Sequence, residues 1–344
     1  MRLFMKQPGK KISATLILFT PLGQILPLMA WINFKYIQKT LVLSKLRIAD
    51  QFCFLLHVWS TIFPMTKQTI LAVLAHPDDE SFGMGGSLAL YAAHGADVYL
   101  ICATRGEVGE VAQEMLKGFK SIAELRESEL RCAAGFLGLK EVFFLDYRDS
   151  GMPGSPDNQH PRALAAQPLD EVAANVVCYM RELQPQVVLT FDPIGGYRHP
   201  DHIAIQRATV RAFEQAGNPA FAPGSLPAYS PQRMYFHIFP KGLLKFGVKI
   251  LPLFGKDPHK FGTNGDIDMA AIAEVDFPTN ARIDIRSVLK KKRLAGACHA
   301  SQGGGRMGDG VVSFFMRLFS GTESFMRAYP PVGPGEKVVK DLFA

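Results

Sequence analysis

A chain of 344 residues, 48% hydrophobic and 20% charged, is long and apolar enough to bury a full α/β core, which excludes an intrinsically disordered chain. Its net charge of +7 raises a polyanion as partner, but the 38 Lys and Arg are dispersed, and the single run Lys290-Lys291-Lys292-Arg293 reads as a solvated helix face, so no nucleic-acid partner is expected. Five cysteines (Cys53, Cys102, Cys132, Cys178 and Cys298) are odd in number and never spaced C-x-x-C, which implies neither a disulfide framework nor a cysteine zinc site; Cys102, Cys132 and Cys178 read as small buried hydrophobes, and the set favours a reducing compartment.

Residues 1–65 differ from the rest. No charge occurs from Ile12 to Phe34, and Lys10, Lys11, Lys35 and Lys39 flank the stretch. Its length suffices for a bilayer span, which takes about 20 apolar residues, although Pro21, Gln24, Pro27 and Asn33 dilute it. A membrane anchor, an export signal and an untranslated upstream stretch with Met65 as the true start compete, and no small-residue cleavage site of a signal peptide follows the apolar run. Under each, a catalytic domain over 66–344 begins near Gln68. The location expected is cytoplasmic, with membrane association through 12–34 as the alternative.

Ile70 to Ala75 is apolar throughout and reads as a strand buried on both faces, the pattern of a parallel sheet under helices. It empties into His76-Pro77-Asp78-Asp79-Glu80, at the carboxyl edge where open α/β sheets bind ligands. A polar turn capping the next helix is the other reading of those residues. A helix follows from Gly83 to Gly95, where Gly85-Gly86 would let backbone approach a ligand or metal loop and the helix N-terminus would favour anions. Asp97 to Ala103 is a second strand delivering Thr104-Arg105-Gly106-Glu107, in which Arg105 and Glu107 could pair at the surface. Ser121 to Leu137 is helical, with Leu125, Leu130, Ala134 and Leu137 at core spacing.

Glu141 to Leu145 is a third strand, followed by Arg148, Asp149 and a Pro/Gly-rich loop from Gly151 to Pro168. A helix over Leu169 to Leu183 leads to the Val187–Phe191 strand, then to Asp192-Pro193-Ile194-Gly195-Gly196-Tyr197-Arg198-His199-Pro200-Asp201-His202 and a helix over His202 to Ala216. Arg233 to Phe239 alternates like a strand. The stretch 241–256 sets lysines beside an apolar face and reads as a lid helix or as a membrane-surface helix. Ile272 to Ile285 suggests one or two short strands, Ser287 to Ala300 a helix, and the remainder loop around a short helix from Val311 to Phe319. Two strand ends of one sheet thus carry three histidines and several aspartates, the mixed donor set of a catalytic zinc site with an open position.

Ala75-His76-Pro77-Asp78-Asp79-Glu80 after a strand, then Gly85-Gly86, Thr104-Arg105-Gly106-Glu107, Arg148-Asp149-Ser150-Gly151-Met152, His199-Pro200-Asp201-His202 and, near the end, Cys298-His299-Ala300-Ser301-Gln302 resemble the LmbE-like family of N-acetylglucosaminyl-phosphatidylinositol de-N-acetylases and thiol-biosynthesis deacetylases. The resemblance implies a Rossmann-like, mostly parallel sheet flanked by helices, with a metal site at its C-terminal edge. It implies zinc, with iron(II) as a substitute, on His76, Asp79 and His202. Asp78 would be general base, His199 (if protonated) and Tyr197 stabilisers of developing charge, and Glu107, Arg126 and Asp149 substrate contacts. The leaving amine would take its proton from Asp78 or His199. The reaction implied is removal of acetyl from a small N-acetylglucosamine-type conjugate; an amidase for a larger thiol or sugar conjugate and a non-catalytic nucleotide- or sugar-binding protein are the competing readings. Gly83-Met84-Gly85-Gly86 fits neither G-x-G-x-x-G nor a P-loop, which weakens the last. His299 matches a family position without a role that can be derived from sequence.

Overall fold

The computed structural model describes residues 67–221, 225–239, 241–260, 268–304 and 321–344. Strand β1 (Thr69–Leu74) is buried along its whole length. Its alternate residues face opposite layers: Ile70, Ala72 and Leu74 join one apolar cluster, while Leu71, Val73 and Ala75 join the other. A strand buried on both faces needs apolar residues at every position, and that is why the run is unbroken.

The sheet has seven strands in the order β3-β2-β1-β4-β5-β7-β6. Strands β2 (Asp97–Cys102), β3 (Glu141–Phe144), β4 (Val187–Phe191) and β5 (Arg233–Ile238) run parallel with β1, Ile70 standing beside both Val98 and Val187. Strands β7 (Thr322–Tyr329) and β6 (Ala281–Asp284) add antiparallel to β5. Helices α1 (Gly85–Ala93) and α2 (Ile122–Leu137) supply the first layer, α3 (Leu169–Leu183) and α4 (Pro200–Gln215) the second. The chain turns from β2 and β3 on one side of β1 to β4 on the other, so the ends of β1 and β4 flank the crevice where such sheets take ligands.

Most expected elements form within a residue or two of their expected bounds; four expectations are corrected. Ile272 lies in a helix, α6 (Met269–Glu274), because Asp268 accepts the Ala271 N–H as its N-cap and Met-Ala-Ala propagates a helix; only Ala281–Asp284 is strand. Thr322–Tyr329, expected as loop, is the longest strand, and its buried Glu323 and Ser324 break the apolar pattern that would have revealed it. Lys292 is not simply solvated: its Nζ donates to Glu323 Oε1 at 2.6 Å and to the Gly83 carbonyl at 2.8 Å, from helix α7 (Leu289–Cys298). Cys132 is no buried hydrophobe. It is exposed on α2 and bonded to Cys298 at the end of α7, 166 residues away, because α2 and α7 pack side by side. Sequence spacing carries no trace of that neighbourhood.

Helix α5 (Lys241–Ile250) continues into a 3-10 turn, Leu251–Phe254, with Lys245, Lys249 and Leu253 exposed. It packs on α6, which touches the turn Gly195–Arg198. Among the described residues no helix is long and apolar enough to cross a membrane. The expectations for 1–65, 12–34 and 311–319 lie outside them.

Candidate metal centre

His76 and Asp79 leave the end of β1, and His202 sits on the first turn of α4, as its third residue. His76 Nδ1 is 3.2 Å from His202 Nε2, Asp79 Oδ1 is 3.3 Å from His202 Nε2, and Asp79 Oδ2 is 3.7 Å from His76 Nδ1. Ligand bonds of 2.0–2.1 Å in a tetrahedron would set donor atoms about 3.3 Å apart. All three side chains are largely withdrawn from solvent.

Hydrogen bonds on the far sides of the two rings decide what faces inward. His76 Nε2 lies 3.1 Å from Asp201 Oδ2, an acceptor only, so that nitrogen carries the proton and Nδ1 presents a lone pair. His202 Nδ1 lies 3.2 Å from the Gly195 carbonyl, so its Nε2 likewise presents a lone pair. With both rings neutral, two lone pairs and a carboxylate converge, an arrangement that suits a cation between them. The same outer partners orient ligating imidazoles in zinc proteins. Asp201 is fully buried and is itself fixed by the Ser150 N–H at 2.9 Å and by the Ser150 hydroxyl. Gly195, at φ +68°, is required where it stands: a Cβ there would come within 2.9 Å of both His202 and Ile203.

The cluster is electrostatically polarised. Burial opposes charge on His76, yet Asp149, with Asp201 and Asp79, raises its pKa well above the usual histidine value, so that without a metal the inward Nδ1 takes up a proton in the place a cation would fill. Burial raises Asp79 as well, but His202 and His76 outweigh it and keep the carboxylate ionised far into acid.

His199 also lies near, its ring 4.6 Å from that of His76 and 5.0 Å from that of His202, and His76, His199 and His202 form a geometric triple, as do His76, Asp149 and Asp201. The His199 Nδ1 accepts the Asp201 N–H at 3.2 Å as the N-cap of α4. Its proton therefore sits on Nε2, which makes it a donor rather than a ligand. Burial and the neighbouring His76 and His202 push its pKa down to about 2, so the expected imidazolium is replaced by a neutral N–H donor. Tyr197 places its ring 4.9 Å from His202, and burial with Asp79 and Asp78 keeps its phenol protonated.

Asp78 holds φ +125°, a strained value for a residue with a side chain. Burial pushes its carboxyl up to about 6, against the pull of Arg126. Arg126 is buried and spent on this loop: Nη2 donates to the Pro77 carbonyl at 2.7 Å and to Asp78 Oδ2 at 3.2 Å, and Nη1 to the Gly106 carbonyl at 2.9 Å. Glu107 does not pair with Arg105, which binds Glu127 and Asp146; Glu107 Oε1 accepts the Asp149 N–H at 3.3 Å. Asp149 is buried, accepts the Gly151 N–H at 2.8 Å and stands 3.6 Å from His76 Nε2. Beside these, Arg105, Glu107, Asp146, Tyr147 and Arg162 line an open cavity.

Comparison with known proteins places this geometry in a lineage. Residues 71–213 match the model of the GlcNAc-PI de-N-acetylase (PIG-L) family. A 1D-myo-inositol 2-acetamido-2-deoxy-alpha-D-glucopyranoside deacetylase from Geodermatophilus obscurus is 38% identical over 245 residues, 69% of this chain and 83% of that one. The chain belongs to the PIG-L, LmbE-like family. An enzyme of the same name from Thermobifida fusca is 37% identical over 69% of this chain and 84% of its own. The family fold recurs in the N,N'-diacetylchitobiose deacetylase from Pyrococcus horikoshii, with TM-score 0.54 and 20% identity over 84% of this chain and 97% of that one.

Sequence reasoning missed Asp201, Ser150 and Glu80 in this centre. Asp201 had a visible signal, an aspartate set between His199 and His202. It also misread the glycines and the helix that follow β1. A Cβ on Gly86 would meet Ile285 at 2.3 Å and Glu323 Oε1 at 2.8 Å, and Glu323 accepts the Gly86 and Ser87 N–H groups at 2.9 and 2.7 Å. The N-terminus of α1 is thus closed by a carboxylate of the protein itself.

Proposed function

We propose that this chain is a divalent-metal-dependent hydrolase that removes the acetyl group from an N-acetylglucosamine-type conjugate, with His76, Asp79 and His202 as ligands and zinc as the metal, iron(II) substituting. The observation that carries the reading is the convergence of two imidazole nitrogens and a carboxylate at 3.2–3.7 Å, each ring held from behind by an acceptor, beside a strained aspartate. When bound, the cation supplies Lewis acidity and lowers the pKa of a water from that of the bulk liquid to about 7.

The chain's own groups divide the remaining work. Asp78 accepts the proton of the attacking water as general base and returns it to the leaving amine. The His199 Nε2–H and the Tyr197 hydroxyl donate to the oxygen on which negative charge develops. Glu107 and Asp149 take sugar hydroxyls, and Arg126 serves the substrate side by fixing the loop that carries Asp78. The relatives named for a glucosaminyl-inositol substrate support a small N-acetylated sugar conjugate as partner.

The test is turnover of N-acetylglucosaminyl-inositol by purified protein, read as released amine, with metal content measured in parallel. About one zinc or iron per chain and chelator-sensitive amine release are expected. Asp78→Ala keeps the metal and loses about 10²-fold or more in kcat, whereas His76→Ala loses the metal. Substantial turnover by the Asp78→Ala enzyme would remove Asp78 from the base role.

A further inference from the structure

Two buried groups near the centre have no part in the mechanism above. Glu80 and His299 are both fully buried, and His299 Nε2 lies 2.7 Å from Glu80 Oε1 although 219 residues separate them. His299 closes the C-terminal end of α7, and the segment after it is fastened to α2 where Ser301 donates its N–H and hydroxyl to Glu129 at 2.8 and 2.6 Å.

The other oxygen of Glu80 faces the metal loop. Its Oε2 accepts the Asp78 N–H at 3.0 Å, while the carbonyl at the other end of the same peptide plane, that of Pro77, is held by Arg126 at 2.7 Å. The next plane is fixed by the Asp78 carbonyl, which accepts the Ser81 and Phe82 N–H groups at 3.0 and 2.9 Å. With both planes held, rotation about the Asp78 N–Cα bond is locked at φ +125°. A strained conformation persists only where its surroundings over-determine it. Among the described residues Glu80 is the one side chain holding the Asp78 N–H, and it has two further donors, His299 and the Ser81 hydroxyl at 2.5 Å. Without His299, a fully buried carboxylate would lose its imidazole donor and be free to rotate away from Asp78.

We infer that Glu80 and His299 form a positioning pair, by which the C-terminal end of α7 holds the Asp78 carboxylate in its reactive orientation. The inference rests on Asp78 acting as base. Among the described residues His299 Nδ1 is buried without a partner, so a single N–H donor toward Glu80 is all the pair requires of residue 299.

The test compares two replacements of similar volume in the full chain, His299→Gln, whose amide can donate to Glu80, and His299→Met, which cannot. Disturbing the outer partners of a site costs about 10–100-fold, so His299→Met should lose about that much kcat, with KM and bound metal unchanged. His299→Gln should recover most of the loss. Introduced beside Asp78→Ala, the Met replacement should cost nothing more, because the group it positions is gone. Equal kcat in the Gln and Met enzymes, a loss confined to KM or to metal content, or a full further loss in the Asp78→Ala background would each overturn the pair. Glu80→Gln is a second entry to the same measurement, expected to lose kcat with metal retained; wild-type kcat there would also overturn it. Near-normal turnover by Asp78→Ala alone would instead refute the base assignment, a result visible without any change at residue 299.

Discussion

At the scale of single residues, the centre is arranged by what stands behind each proposed ligand. Asp201 accepts the Nε2–H of His76 and the Gly195 carbonyl the Nδ1–H of His202, which turns His76 Nδ1 and His202 Nε2 inward. Asp201→Asn offers a neutral amide where a carboxylate stood, which weakens the hold on the His76 tautomer. Metal affinity should fall about 10–100-fold, measured by competition with a chromophoric chelator, while the fold persists; unchanged affinity would mean that Asp201 serves only to fix Ser150. That His76, Asp79 and His202 meet was legible in the sequence, because the ends of neighbouring parallel strands lie at one edge of the sheet. The tautomer of His199 was not, since it depends on the single N–H of Asp201 that reaches its Nδ1.

At the scale of elements, the antiparallel strand β7 fastens the helix that follows the metal loop. Glu323 on β7, itself buried, accepts two N–H groups from the first turn of α1 and pairs at 2.6 Å with Lys292 of α7, which is partly exposed. Glu323→Ala strips two helix donors and leaves Lys292 without its carboxylate, and breaking a buried pair in this way costs about 3–5 kcal/mol. The pH dependence has a definite sign. Burial raises the Glu323 pKa, but Lys292 and the Ser87 N–H more than reverse it, so the folded value lies below the ordinary one. Its contribution is complete above the unfolded-state value of about 4.3 and is lost as pH falls through the folded value. In urea titrations, the stability gap between wild type and Glu323→Gln should therefore be constant from pH 7 to about pH 5 and narrow in stronger acid; a gap that widens in acid would reverse the assignment. None of this was legible beforehand, because a strand with Glu323 and Ser324 buried on its two faces imitates a loop. The parallel strands were legible, being apolar at nearly every position.

At the scale of the whole molecule, the segments after β5 are bound back to the first half of the sheet at several separate points. Tyr91 on α1 donates to Asp341 at 2.9 Å and accepts the Leu342 N–H at 2.7 Å, His299 meets Glu80, and Cys132 on α2 is bonded to Cys298 on α7. The disulfide closes a loop of 166 residues, and a cross-link over so long a loop removes much of the freedom of the unfolded chain. Disulfides of this kind contribute about 2–4 kcal/mol, which for a chain of this length is several degrees in Tm. Peptide mapping without reductant should recover the Cys132 and Cys298 peptides joined, and Cys132→Ser should lower Tm to the same point as dithiothreitol does, with no further effect of the reductant on the variant. The bond also joins the helix end that carries His299 to α2, the helix that carries Arg126. Both helices hold the Asp78 loop, so loss of the bond should reduce turnover as well as stability. Separate peptides and a reductant-insensitive Tm would show instead that α2 and α7 are held by packing and by the Ser301–Glu129 hydrogen bonds alone.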